Sequence, residues 1–144
     1  MNCYIDSSAL LRGLLNQVDA GAELVSYGKI GTSELTLIEC NRVLDRYRLE
    51  SALDDDELAE VREALQLVSR ELFLFEISTA VKRRASESFP TVIGTLDALH
   101  LSSALLWRQR EPADDFVMFS YNRQLNTCAR ALGFGLHYRF RPGR

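Results

Sequence analysis

An α/β fold built on a parallel central sheet of about five strands flanked by helices is predicted by three features of the chain. Short apolar runs of strand length alternate with longer segments in which apolar residues recur at helical spacing. Ser, Thr, Asp and Asn stand at the junctions, where helices need capping. Parallel neighbours require crossover connections, and the intervening helical segments supply them.

Taken in order, Cys3-Tyr4-Ile5 reads as a short buried strand, after which Ala9, Leu10, Leu11, Leu14 and Leu15 switch to helical spacing. A second helix is predicted over residues 20–27. Ile30-Gly31-Thr32 reads as a brief strand before Ser33, which caps a helix running to about Arg48. Asp54-Asp55-Asp56-Glu57 places negative charge where a helix N-terminus favours it, and Leu58, Val61, Leu65 and Val68 continue as one apolar face. Residues 72–77 are rich in bulky apolar groups and read as a strand, followed by Ser78 as the cap of a helix to about Ser88. Pro90 and Gly94 bracket a loop. Thr95 is placed to cap the helix that carries Asp97 and ends near Arg110, with Pro112 as a stop signal. Phe116-Val117-Met118-Phe119 is a strand, residues 122–132 a helix with Gly133 at its C-terminal end, and residues 136–140 a last strand before a basic tail.

At 144 residues and 47% apolar composition, the chain has the length of one ordinary domain, residues 1–144, with enough material for a core. The net charge of −3 lacks the basic excess usual for nucleic-acid proteins, but it averages unlike regions. Residues 50–63 carry seven acids against the single base Arg62, whereas residues 116–144 carry five arginines and no acid. Fifteen of the seventeen bases are Arg, which suits bidentate pairing with phosphate or carboxylate; genome composition produces the same bias, so both readings stand. Cys3, Cys40 and Cys128 are odd in number, widely separated and flanked by apolar neighbours, which indicates neither a disulfide framework nor a zinc site. No secretory signal and no run of membrane-spanning length is visible, so a cytoplasmic protein is expected.

Three acids stand apart. Asp6 ends the first apolar run, Glu39 lies beside the buried stripe of its helix with Arg42 one turn on, and Asp97 opens a long apolar helix. Each has an ordinary explanation on its own: Asp6 as a cap with Ser7 and Ser8, Asp97 as a dipole-stabilising acid, Glu39 as a surface partner of Arg42. Brought together, they would hold a hard cation, magnesium or manganese, which prefers oxygen ligands. In a parallel sheet Asp6 and Asn122 both follow strands and point to the same edge, where sites form.

The pattern Tyr4-Ile5-Asp6-Ser7-Ser8-Ala9-Leu10, then Thr32-Ser33-Glu34-Leu35 with Glu39 and Arg42, then Thr95-Leu96-Asp97-Ala98-Leu99-His100-Leu101 resembles the PIN-domain nucleases, most closely their VapC-type toxins. Phe119-Ser120-Tyr121-Asn122-Arg123-Gln124-Leu125 and Ala129-Arg130-Ala131-Leu132-Gly133 resemble the family's closing segment, so the likeness spans almost the whole chain. It implies a three-layer fold with an acidic pocket, Asp6 and Asp97 as direct ligands of Mg2+ or Mn2+, Glu39 as a water-mediated ligand or proton acceptor, and RNA phosphodiester hydrolysis. It implies, further, a single-stranded or looped RNA substrate, a cognate VapB-like antitoxin covering the pocket, and a homodimer. The chain departs from the family at one point. Where a fourth acid is usual, it has Ser120-Tyr121-Asn122, so Asn122 supplies no negative charge and is expected to position the nucleophile or complete an outer coordination layer.

Arg42, Arg46, Arg123 and Arg130 are candidates for phosphate contact, with solvated helix charges as the plain alternative. His100 and His137 are expected to be structural, Trp107 to pack in the core, and Tyr121 either to pack or to stack on a base. A phosphatase would need a second acid where Ser8 stands, a phosphorylation receiver an early acidic pair, and a dinucleotide enzyme a glycine-rich turn in place of Ser7-Ser8-Ala9-Leu10. The remaining rival is a non-catalytic or weakly active member of the same fold that binds RNA or protein.

Overall fold

Strand β1 (Asn2–Ile5) is buried along its whole length, so both its faces need an apolar layer. Cys3 and Ile5 enter one core cluster and Tyr4 the other, as alternation along a strand requires. The computed structural model describes residues 1–16, 24, 26–112 and 114–142. After β1 follow α1 (Ser7–Asn16), β2 (Lys29–Ser33), α2 (Glu34–Leu49), α3 (Asp55–Glu71), β3 (Phe73–Phe75) and α4 (Thr79–Ala85). Then come α5 (Thr95–Arg110), β4 (Phe116–Phe119), α6 (Arg123–Ala131), β5 (Gly135–Leu136) and a single 3-10 turn, Tyr138–Phe140.

The five strands form one sheet in the order β3-β2-β1-β4-β5, and every pairing is parallel. The α/β class and the strand count agree with the sequence. One face is covered by α5 and α6 through Leu101, Ala104, Trp107 and Leu125, the other by α1, α2 and α3 through Leu10, Leu11, Leu44 and Leu65. Gly31 in β2 is required by this packing, since a Cβ there would stand 2.7 Å from both Phe75 and Trp107. The chain moves outward from β1 to β2 and β3, then crosses back to β4 on the other side of β1. That reversal sets a topological switch point at the carboxyl ends of β1 and β4, where open α/β sheets form their sites.

Ser33 and Ser78 cap as expected, and two further helix starts are capped by side chains that sequence reasoning did not assign as caps. Ser33 accepts from Leu35 N–H, Ser78 from Val81 N–H and Asn122 from Leu125 N–H, while Asp54 and Glu57 form a reciprocal capping box. Four expectations need correction or fall elsewhere. Gly94, not Thr95, takes the extended capping position of α5, and no side chain bonds to that helix start. The strand expected over residues 72–77 is only Phe73–Phe75, because the Ile77 N–H turns to Glu34 Oε1 at 2.7 Å. The last strand stops at Leu136: His137 stacks on Phe119 with centroids 3.8 Å apart, and the chain tightens into the 3-10 turn. The helix expected over residues 20–27 lies mostly outside the described residues. All three cysteines are buried and free, and no helix among the described residues is long and apolar enough to cross a membrane.

Candidate active site at the carboxyl edge of the sheet

Asp6 follows β1 directly, and its backbone N–H still bonds to Phe119 O, so the sheet itself sets its position. Its carboxylate then serves two ends. Oδ1 accepts from Ala9 N–H at 3.1 Å and from Ser8 Oγ at 2.7 Å, which caps α1, while Oδ2 accepts from Ser120 Oγ at 2.6 Å. The capping and site readings of Asp6 are therefore compatible. Burial, at 4% exposure, pushes its carboxyl above the usual range, against the pull of Ser120, Ser8 and the Ala9 N–H.

Ser120, the first residue after β4, also accepts from the Asn122 N–H at 2.9 Å, and Ser8 accepts from Tyr121 N–H at 2.9 Å. The two serines thus fasten the exits of β1 and β4 to each other. Asn122 uses its side chain twice: Oδ1 caps α6 through Leu125 N–H, and Nδ2 donates toward Asp97 at 3.2 and 3.3 Å to its two oxygens. Its oxygen is committed to the helix and its amide hydrogens to the acid. Asp97, half-buried in the first turn of α5, has its carboxyl raised by burial. His100 and the Asn122 bond oppose that rise, and the charges of Asp6 and Glu39 add to it.

Glu39 does not pair with Arg42. Arg42 turns to Asp45 at 3.4 Å, and Glu39 Oε1 lies 2.6 Å from His100 Nε2. The fold therefore brings Asp6, Asp97 and Asn122 into one bonded chain through Ser120, with Glu39 near enough to act electrostatically on Asp97. Among the described residues, no three His, Cys, Asp or Glu side chains converge as a ready-made metal cage. No Lys or Arg among the described residues pairs with Asp6 or Asp97. Two carboxylates without a Lys or Arg partner fit a magnesium-like ion, which keeps several of its waters and takes one or two carboxylates.

Sequence reasoning did not name Ser8 and Ser120 among the site residues; His100, expected to be structural, is buried with both ring nitrogens bonded. A serine directly after β4, and a serine pair following Asp6 at the end of β1, were the visible signal; the tie to His100 had none. Arg123 opens α6 next to Asn122, whereas Arg130 lies about 10 Å along the same helix at 1.5 Å per residue. Arg46 approaches Glu50 at 4.0 Å. Arg12, not anticipated, sits 4.4 Å above the half-buried ring of Tyr121. Trp107 packs edge-on against Phe116 in the core, and His137 is buried. A groove of about 460 Å3 includes none of Asp6, Glu39 and Asp97 in its lining, which is mainly apolar, with Leu10, Leu14, Val68 and Leu72.

A doubly wound parallel sheet with a buried and a half-buried aspartate at its topological switch point defines an α/β protein with acids where such sheets form their sites. The chain belongs to the PIN domain family, whose profile matches residues 3–110. Solved structures agree with that fold. VapBC2 from Rickettsia felis, bound to a DNA fragment from their promoter, superposes with a TM-score of 0.65 at 14% identity, over 94% of this chain and 97% of that one. PAE2754 from Pyrobaculum aerophilum gives 0.62 at 19% identity over 94% and 83% of the two chains. A toxin-antitoxin complex from Klebsiella pneumoniae gives 0.60 at 16% identity over 93% and 94%. No curated protein matches by sequence.

Proposed function

We propose that the protein is a Mg2+- or Mn2+-dependent endoribonuclease, the VapC-type toxin of a toxin-antitoxin pair. The observation that carries this reading is the joining of Asp6 to Asp97 through Ser120 and Asn122 at the switch point, with no Lys or Arg among the described residues paired to either acid. Membership of a family of nucleases and the likeness to toxin-antitoxin complexes support it.

In this mechanism Asp6 and Asp97 would hold the cation by their carboxylates. A bound Mg2+ or Mn2+ supplies the positive charge that acidifies a coordinated water and draws charge from the phosphate oxygens. Glu39 accepts the proton of the attacking water at Oε2, because Oε1 is held by His100. Asn122 keeps Asp97 oriented by donating from Nδ2, and Ser120 does the same for Asp6. Single-stranded or looped RNA is the substrate, its phosphates met by Arg12 and Arg123. A VapB-like antitoxin covers the acidic edge, and the toxin works as a homodimer in the cytoplasm.

Purified protein given single-stranded RNA and manganese is expected to cleave it, and Asp6→Asn or a chelator to abolish cleavage. Cleavage unchanged in Asp6→Asn rejects the metal assignment. Intact RNA that is nevertheless bound by the wild type favours the second reading, a non-catalytic RNA- or protein-binding module. The specific observation behind that reading is Asn122, an amide where a fourth carboxylate would add to the cation's hold.

A further inference from the structure

We propose that His100 is a positioning residue for this hydrolysis, fixing the Glu39 carboxylate through Nε2 so that one oxygen is committed and the other is left to take the water's proton. The inference rests on the nuclease reading above.

His100 is 2% exposed in α5 and lies among the buried residues that face the sheet. An imidazole placed there needs partners for both ring nitrogens, and it has them. Nδ1 lies 2.8 Å from the hydroxyl of Tyr4, itself fully buried on β1. That hydroxyl also accepts from the Ser33 N–H at 3.2 Å, so it is held in place beside Nδ1. A carboxylate oxygen only accepts, so Nε2 carries a proton and donates it to Glu39 Oε1 across 2.6 Å, the short length expected of a bond to a charged acceptor.

The bond also spans the molecule's layers. α5 packs on one face of the sheet and α2 on the other, so His100 reaches Glu39 around the carboxyl edge, beside the exit of β1. Asp97 stands one turn before His100 on the same helix, so one rigid element carries both a cation ligand and the group that orients the proton acceptor. Glu39 has 22% of its side chain exposed, and without the imidazole its carboxylate is free to turn toward solvent. A histidine retained only for packing would not need its proton delivered to an acid at the site.

The test compares His100→Gln, whose amide N–H reaches about as far as Nε2, with His100→Asn, which still offers a partner to Tyr4 but stops short of Glu39. With manganese and single-stranded RNA, His100→Gln is expected to keep kcat within several-fold of wild type. His100→Asn is expected to lose about 10–100-fold in kcat at unchanged KM, the usual cost of removing an orienting partner. Adding His100→Asn to Glu39→Gln should then cost less than about twofold more, because both remove the same contact. Equal kcat in the two His100 variants, or losses that multiply, overturn the assignment.

A second measurement needs neither metal nor activity. Nitrogen chemical shifts of His100 in the metal-free protein should report the Nε2–H tautomer and should move in Glu39→Gln; the Nδ1–H tautomer, or no response, overturns the proposal. Cleavage lost in Asp6→Asn but untouched in His100→Asn removes only the role of His100, whereas a wild type that leaves RNA intact removes the nuclease reading and this role together.

Discussion

Asp6 carries its charge in a place that disfavours it, and pH exposes the cost. Burial holds its carboxyl above the ordinary 3.8, so the folded chain keeps a proton that the unfolded chain has already released. This residue's contribution to stability is full below about pH 3.8 and is lost as pH rises through the higher folded value. Asp6→Asn is thus expected to match the wild type in unfolding free energy from urea titration near pH 3.5 and to exceed it near pH 7 by on the order of 1–3 kcal/mol in the absence of divalent ions. Manganese should close the gap by stabilising only the wild type. A neutral-pH midpoint lower in Asp6→Asn shows that the three accepted hydrogen bonds outweigh burial. At this scale the sequence was half legible. Asp6 and Asp97 stand out as acids at the ends of apolar runs, but the partner of Glu39 does not: local spacing offers Arg42, and the fold instead supplies His100, 61 positions away. Nothing in a linear pattern marks a contact of that separation.

The start of α6 joins helix stability to the site through one side chain. Asn122 caps the helix with its oxygen and quiets Asp97 with its amide. Asn122→Ala should cost about 0.5–2 kcal/mol through the lost cap, with or without a cation. Asn122→Asp keeps a good cap but sets a carboxylate against Asp97, so it should lower the melting temperature of the metal-free protein and enlarge the rise that manganese produces. Thermal melts of both variants with and without manganese check this; a manganese response no greater than wild type in Asn122→Asp separates position 122 from the cation. Elements were the most legible level, because caps act within a few residues. Ser33, Asp54, Ser78 and Asn122 all cap as their chemistry directs. The failures arise where a distant group intervenes, as when Glu34 captures the Ile77 N–H and ends β3, or where backbone conformation decides, as when extended Gly94 precedes Thr95 at the start of α5.

For the molecule as a whole, strand order is the property the linear pattern withholds, since pairing joins segments far apart in the chain. Parallelism alone nevertheless places the residues after β1 and β4 on one edge, and the pairing of Ile5 with Phe119 makes them neighbours. Charge follows the same geometry. The acids of residues 50–63 belong largely to the start of α3, while β4 and everything after it bear arginines and no acid. A chain with net charge −3 can therefore still meet RNA on one side. Of its arginines, Arg123 stands beside Asn122 at the edge and Arg130 at the far end of α6. Each phosphate neutralised on a single strand adds about 0.7 to the steepness of log K against log salt. In the cleavage-deficient Asp6→Asn background, Arg123→Ala is expected to reduce that slope by about 0.7 and to weaken binding equally for unrelated RNA sequences. Arg130→Ala should leave the slope unchanged. Anisotropy titrations over a salt series distinguish the two, and equal slopes for both variants would move the RNA path away from the switch point.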